Sequence, residues 1–500
     1  MRTAIAFLLI IGILVIWSLM SRRTQPETEP VVVDTLSTET AVATPEPTQE
    51  PRLFDADSFV VDREKFKIVL SSAGGSVQSF YLKEYNVNIV PEGKHLFVTV
   101  GNDGAVPVFS ALVSQDSIVF QADDVPIQKI YHFNSADGFR LTSRAATGAE
   151  RVLSLRSGLR ITEEKNRNED LRHFNVYLKN EKVEKITGKI RDEYSYVGAV
   201  DWFALRSKYF ALFVNSIEGI EGLNFYKLAK EQAHAEPAGN SVQHAAFGCY
   251  YMRGGGNQYG AEIVTAGTLD VAVVLLPVKH TVLAQYDRGY ESITSGGILG
   301  PISRFFLLIF NFFYSLIGNY GFAIMLFAIM IKLIFFPLSR QMIASQHKMQ
   351  MIQPEMKKLQ QRYKEDPQRL NQEMMQLYKT YKVNPFSGCL PLVIQMPIFI
   401  ALYQTLITSI EFRQASFIFW ITDLSLKDPY YVLPIAMGVI MLVQSLLTTV
   451  DPRQRFMVFF MPVIMVFIFL NFPSGLQLYW FTYNILTVIE HILTKRGGLK

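Results

Sequence analysis

From Tyr320 onward the chain alternates between apolar runs near bilayer length and one long basic segment, and this alternation limits its fold more than any other feature. The apolar runs cover 320–338, 390–410, 430–450 and 457–493. Phe472-Pro473-Ser474-Gly475 divides the last into two helices joined by a tight turn. A helix crosses the hydrocarbon core with about 20 residues, so five spans are expected here. A sixth is expected at 4–20, about 25 Å long as a helix. No A-x-A cleavage site or lipobox cysteine follows it, so it reads as an uncleaved anchor. The Phe-rich run 305–317 is about 20 Å long, short for a span, and reads as an amphipathic helix at the interface.

Charge between the runs sets the orientation. The segment 339–385 carries Arg340, Lys348, Lys357, Lys358, Arg362, Lys364, Arg369, Lys379 and Lys382, against Glu355, Glu365, Asp366 and Glu373. Arg453, Arg455, Lys495, Arg496 and Lys500 fall on the same side by parity. Positive-inside places all of these, and both termini, in the cytoplasm. Arg22 and Arg23 run against this orientation.

Only 18% of residues are charged and 37 are Phe, too apolar for an ordinary soluble chain, yet long polar stretches precede the spans. The segment 24–51 has Pro, Thr and Glu with no Lys or Arg, and reads as a disordered tether. From 52 to 278 the pattern is β. Phe66, Ile68 and Leu70 alternate with Lys67 and Val69, and Gly74-Gly75 marks a turn. Short runs recur at 96–100, 118–120, 174–178 and 271–276, which predicts a large β-sandwich on the outer side. Its His and Asp residues are scattered, with no catalytic pattern. Cys249 and Cys389 fall on opposite sides of the membrane, so no disulfide framework is implied. The sequence has no Walker A loop, HExxH, CxxC or GxSxG, which argues against nucleotide-driven or metal-driven chemistry and implies no cofactor.

The basic segment reads as a helical hairpin. Met349, Ile352, Met356, Leu359 and Tyr363 recur at helical spacing, as do Leu370, Met374, Leu377 and Tyr381, with Asp366 as N-cap and Pro367 at the first helical position. These stripes pack the two helices together. Met349, Met356, Met374 and Met375 also make a polarizable surface for varied apolar partners. The nearby cations suit ribosomal RNA, anionic lipid or water alike.

Lys332 lies inside an apolar run, about 12 Å along the helix from Arg340. An ammonium there is costly unless it meets protein or water. Three readings stand open: snorkelling to the cytoplasmic surface, pairing with Glu490, the one acid well inside a span, or a functional charge in a wet cavity. Gln395, Gln404, Gln444, Gln477, Tyr479, Trp480, Tyr483 and Asn484 are polar or aromatic residues that could line such a cavity or simply bond between helices. Pro391, Pro397, Pro434 and Pro462 predict bent helices.

Several ordered motifs resemble the YidC/Oxa/Alb family of membrane insertases, in its Gram-negative type with a large periplasmic domain. They are Gly318-Asn319-Tyr320-Gly321, Phe336-Pro337-Leu338, the run from Asn371 to Tyr378, Val383-Asn384-Pro385 and Gly388-Cys389. Gln395-Met396-Pro397-Ile398-Phe399, Asp428-Pro429-Tyr430-Tyr431 and Phe472-Pro473-Ser474-Gly475 follow, while Asp201-Trp202 and Lys208-Tyr209-Phe210 match the outer domain. The resemblance spans essentially the whole chain. It implies a five-helix core beneath an N-terminal anchor and beside an all-β periplasmic sandwich, multi-pass in a bacterial inner membrane. It also implies a hydrophilic groove in which Lys332, Gln395, Tyr479, Trp480 and Asn484 contact the substrate, with Glu490 as candidate charge partner of Lys332. Relatives usually carry Arg at the position of Lys332, and often Tyr at that of Trp480. The implied partners are nascent membrane proteins, the Sec translocon, lipid, and the ribosome or signal recognition machinery at the hairpin and tail. No small-molecule substrate is implied.

The predicted order is anchor 1–23, linker 24–51, β-domain 52–290, interfacial helix 291–319, span 320–338, hairpin 339–387 and span 388–411. There follow an outer loop 412–429, span 430–450, inner loop 451–456, span 457–472, turn 473–475, span 476–493 and tail 494–500. Two other classes fit parts of the sequence. A secondary transporter would use Lys332–Glu490 as an ion relay, but the core shows no paired halves with matching broken segments. A receptor would bind sugar or peptide in its sandwich and leave Lys332 unexplained.

Overall fold

The computed structural model describes residues 56–100, 106–122, 126–145, 151–163, 167–228, 258–265, 267–294, 300–381, 390–448 and 455–496. The predicted anchor and linker, Cys249, Cys389, Lys382, Val383-Asn384-Pro385, Arg453 and Lys500 lie outside them.

The β-domain contains three antiparallel sheets of four, five and nine strands. The nine-stranded sheet runs, edge to edge, through Val183–Lys185, Asn175–Lys179, Trp202–Arg206, Phe210–Glu218, Leu269–Pro277, Gly138–Ala145, Ile127–Ser135, Ser117–Gln121 and Ser110–Val113. Period-two alternation gives it two apolar faces. Phe210, Leu212 and Val214 point into a core shared with both smaller sheets, through Phe66, Ile68 and Phe80 of one and Leu153, Phe225 and Ile263 of the other. Ala211 and Phe213 point the opposite way, into a second cluster with Trp202, Tyr290 and Ile293. The predicted Gly74-Gly75 turn is present, both residues at positive φ, where a side chain is strained.

That second cluster corrects one boundary. Residues 291–294 were expected to open the interfacial helix, but the 3₁₀ segment Tyr290–Thr294 belongs to the β-domain. Tyr290 stacks on Phe213 at 3.9 Å, and the Ile293 carbonyl accepts from Arg206.

Lys129 sits at the junction of the three sheets. Its ammonium is fully buried and donates to the carbonyls of Gly74 and Phe97 and to the Thr99 hydroxyl. Burial pushes it well below the usual lysine value of 10.5. The unfolded chain therefore binds this proton more readily than the folded domain, and the Lys129 contribution to stability rises with pH toward that value. Lys129→Met is expected to flatten this rise, as read from denaturant midpoints at about pH 7 and about pH 9.

The helical core begins with α1 (Gly300–Ile317), α2 (Tyr320–Ile334) and α3 (Phe336–Met351). Gly318-Asn319-Tyr320-Gly321 forms the α1–α2 corner, and each residue has a task. Gly318 turns the chain at φ +75°, and its N–H donates to the Tyr314 carbonyl at 2.7 Å. Asn319 caps α2, accepting from the N–H groups of Gly321 and Phe322. Tyr320 stacks on Tyr314 at 4.1 Å. A Cβ on Gly321 would come within 2.0 Å of the Phe417 ring. Gly321→Ala is therefore expected to cost about 1–3 kcal/mol of thermal stability, through displacement of that ring.

α1 is long and apolar enough to cross a membrane, a property that does not distinguish a span from the expected interfacial helix. The helix starts at Gly300, five residues earlier than the run read from sequence. Phe306 and Phe310 pack on Phe327 of α2, whereas Phe305, Leu308, Phe312 and Leu316 face outward.

The predicted span 320–338 is also not one straight helix: α2 and α3 meet at 62° around Phe335. Pro337 lies in the first turn of α3, where its missing N–H is harmless, but it cannot continue α2 without a clash. The hairpin's first stripe is likewise split, because α4 (Gln353–Arg362) starts afresh after Ile352 with Pro354 in its first turn. The helix α5 (Pro367–Thr380) starts as expected, the Asp366 carboxylate accepting from the Arg369 N–H at 3.0 Å. The Tyr381 hydroxyl donates to Glu355 at 2.9 Å and ties α5 back to α4.

The remaining helices are α6 (Leu390–Thr408), α7 (Val432–Thr448), α8 (Arg455–Phe469) and α9 (Ser474–Arg496), with Pro397 inside α6 and Pro462 inside α8. The tight turn expected at Phe472-Pro473-Ser474-Gly475 joins α8 to α9. Gln477 closes it, donating to the carbonyls of Phe469 and Phe472 at 2.9 Å each.

Candidate functional site

Residues 479, 483, 487 and 490 recur at steps of four, four and three, so Tyr479, Tyr483, Thr487 and Glu490 share one face of α9. That face carries a polar and aromatic strip through otherwise apolar helices. At one end Gln395 of α6 donates to the Tyr479 hydroxyl at 2.6 Å, both residues buried. Tyr479 stacks with Tyr483 at 6.1 Å, and the Lys332 ammonium lies 4.9 Å over the Tyr483 ring.

Lys332 completes the strip from α2. Its ammonium contacts Glu490 Oε2 at 2.7 Å and donates to the Thr487 hydroxyl at 2.9 Å. The side chains of Lys332 and Glu490 are 8% and 5% exposed, so neither charge reaches bulk water in this state. Ser339 of α3 donates to the same Glu490 oxygen at 2.7 Å, which anchors the bend between α2 and α3 to the pair. Glu490 Oε1 is buried with no hydrogen-bond partner among the described residues.

Because α2 ends at Ile334, Lys332 occupies its last turn and not the middle of a long span. A cation is favoured at a helix C-terminus. Lys332 lies about 18 Å along α2 from Tyr320. Of the three readings of Lys332, the geometry realises the ion pair in place of snorkelling.

The other predicted groove residues divide. Trp480 packs edge-on against Phe399 at 5.4 Å, and its indole N–H is buried without a partner among the described residues. Asn484 donates back to the Trp480 carbonyl at 2.8 Å and braces α9. Gln395 and Tyr479 join Lys332 and Glu490 along one strip; Trp480 and Asn484 lie beside it. Thr487 and Ser339 were missed by sequence reasoning. The spacing of 479, 483, 487 and 490 could have found Thr487, whereas Ser339 comes close only through the bend.

In the hairpin, Met349, Met356 and Met374 are half-buried, and Met375 is 57% exposed. Three of the four predicted contact methionines thus keep only part of their surface free. Met351, also exposed, joins Met375 on the free surface.

A helical core carrying a buried ion pair, joined to a large β-domain, makes a protein of mixed α and β architecture. Comparison with known proteins gives the family. The 60Kd inner membrane protein family matches residues 312–499. The membrane protein insertase YidC of Citrifermentans bemidjiense is 32% identical over 482 residues, covering 88% of this chain and 86% of the relative. That of Geotalea daltonii is 33% identical, covering 87% and 86%. A solved structure of an active YidC insertase with its first transmembrane domain resolved is 20% identical, with a TM-score of 0.41, and covers 87% of this chain and 95% of its own. The chain belongs to the YidC membrane protein insertase family. The family is one of inner-membrane proteins, and in this chain the described residues form a large β-domain and a helical core.

Proposed function

We propose that this protein inserts nascent membrane proteins into the inner membrane, and that the strip from Gln395 to Glu490 is where a client's polar flank is held. The observation that carries the reading is the buried Lys332–Glu490 pair, set among aromatic and hydroxyl groups inside apolar helices. A charge so placed costs several kcal/mol without a partner. The Glu490 carboxylate, with one oxygen unpartnered, is an exchangeable partner. An acidic residue in the client's outer tail competes with Glu490 for the Lys332 ammonium, the strip opens as a hydrophilic groove, and the tail is carried part way across. Release of the client's apolar segment into lipid then drives the reaction, at roughly −0.3 to −0.6 kcal/mol for each central Leu, Ile, Phe or Val. No covalent step is involved.

In this reading α2, α6, α7, α8 and α9 span the membrane and the N-terminal anchor supplies a sixth span, α1 lies at the outer interface, and both termini and the hairpin are cytoplasmic. Met351 and Met375 offer the first apolar contact, and the hairpin cations meet the ribosome, signal recognition machinery or anionic lipid. The Sec translocon is the expected partner of the periplasmic side. The test is insertion of a short single-span client with an acidic outer tail into liposomes, read by protease protection. Protein-containing liposomes are expected to protect the client, and protection equal to that of empty liposomes overturns the reading. The same Lys–Glu pair would suit an ion relay, and proton-coupled solute uptake by the same liposomes would favour a transporter.

A further inference from the structure

The Lys208-Tyr209-Phe210 motif lies in the β-domain, and insertion as proposed makes no use of it. Lys208 is completely buried and pairs with Glu163 at 2.7 Å, itself buried. The Tyr209 hydroxyl donates to the other Glu163 oxygen and lies 3.5 Å from the Ser425 hydroxyl. Ser425 is not part of the β-domain. It sits in the loop 409–428 between α6 and α7 and donates to Asp423 at 2.7 Å.

The same loop meets the β-domain at three further points. Ile410 is buried in the domain's main apolar core. Arg413 donates to the Tyr85 carbonyl at 3.3 Å, its guanidinium 5.8 Å over the Tyr209 ring. Glu411 pairs with Lys279 at 3.5 Å. On its other side the loop grips the helices. Asn319, the cap of α2, donates to the Ser416 and Phe417 carbonyls at 3.3 Å. The Ser474 N–H donates to the Leu426 carbonyl at 2.6 Å and the Gly475 N–H to that of Leu424 at 3.0 Å, which fixes the start of α9.

We propose that the loop 409–428 is the docking site of the β-domain, and that Glu163, Tyr209 and Ser425 are positioning residues that hold the domain in one orientation at the start of α2 and α9. Two features support this over ordinary interface packing. A buried ion pair is poor value as a stabiliser but good at selecting one arrangement. Lys208 and Glu163 spend theirs where Tyr209 reaches across to the loop. The loop is also bonded to the beginnings of α2 and α9, two of the helices that carry the polar strip, so the domain's orientation is tied to theirs.

The test uses full-length protein in lipid nanodiscs, with Cys249 and Cys389 replaced by Ser and spin labels at Ser110→Cys and Asn471→Cys. Both label sites are exposed, one on the β-domain and one at the turn before α9. The native seam is expected to give a single narrow distance. Glu163→Gln with Tyr209→Phe, and separately Ser425→Val, are expected to lose that narrow peak while the β-sheet ellipticity is kept. Ser425→Val acts from the loop side and leaves the domain interior intact, so it decides the matter if the double variant fails to fold. A broad distribution in the native protein, or an unchanged peak with Ser425→Val, would overturn the proposal.

Discussion

Lys332→Ala is expected to lower insertion of an acidic-tailed client by at least about tenfold, whereas Lys332→Arg keeps it within about threefold, since a factor of ten corresponds to only 1.4 kcal/mol. Two effects of the Ala variant have to be separated. Removing the ammonium deletes the proposed client contact, but it also leaves Glu490 buried against Ser339 without its cation. A charge stranded in this way destabilises a fold by about 3–5 kcal/mol. The double variant Lys332→Met with Glu490→Gln removes both charges. It is expected to regain most of the thermal stability lost in Lys332→Ala and none of the insertion. Recovery of insertion in the double variant would mean that the lysine is structural. Arg suits the site because it keeps the charge, although its planar fork places donors differently from an ammonium over the Tyr483 ring.

Glu163→Ala is expected to be the most damaging single change in the β-domain, costing about 3–5 kcal/mol in chemical denaturation. Lys208 would be left with no exposed surface and without its paired carboxylate, the buried Asp170 being its remaining acidic neighbour. Lys208→Met with Glu163→Gln is expected to cost much less than Glu163→Ala, because neither member of the pair is left charged without the other while the volumes are nearly kept. Equal losses from the two would show that packing, and not charge, sets the stability of the seam.

The sequence exposed what depends on local pattern. Alternation at Phe66, Ile68 and Leu70 announced a strand, and Asp366-Pro367 announced a helix start, because the information sits within a few residues. Lys332 stood out because one ammonium in an apolar run has few physical solutions, and Glu490 was among them. Contacts closed over long distances were not legible. Lys208 and Glu163 look like ordinary surface residues until two strands and a loop fold around them. The break at Phe335 was half visible, since Pro337 was in plain view, but the hydropathy run passed straight over it. The hairpin methionines were legible as a stripe, yet the stripe alone did not say that Met349, Met356 and Met374 would be half-buried while Met375 stays exposed.

The central claim is that a client segment lies along the α9 strip. It is tested most directly by photo-crosslinking from single sites to a client stalled during insertion. Probes at Gln395, Tyr479 and Tyr483 are expected to capture the client, and capture is expected to fall with Lys332→Ala. Probes at Val463 and Phe467 of α8, both exposed on the bundle's apolar surface, should capture little. Equal capture from both sets, or capture from α8 alone, would contradict the account and place the client's path on the lipid-facing side of the bundle.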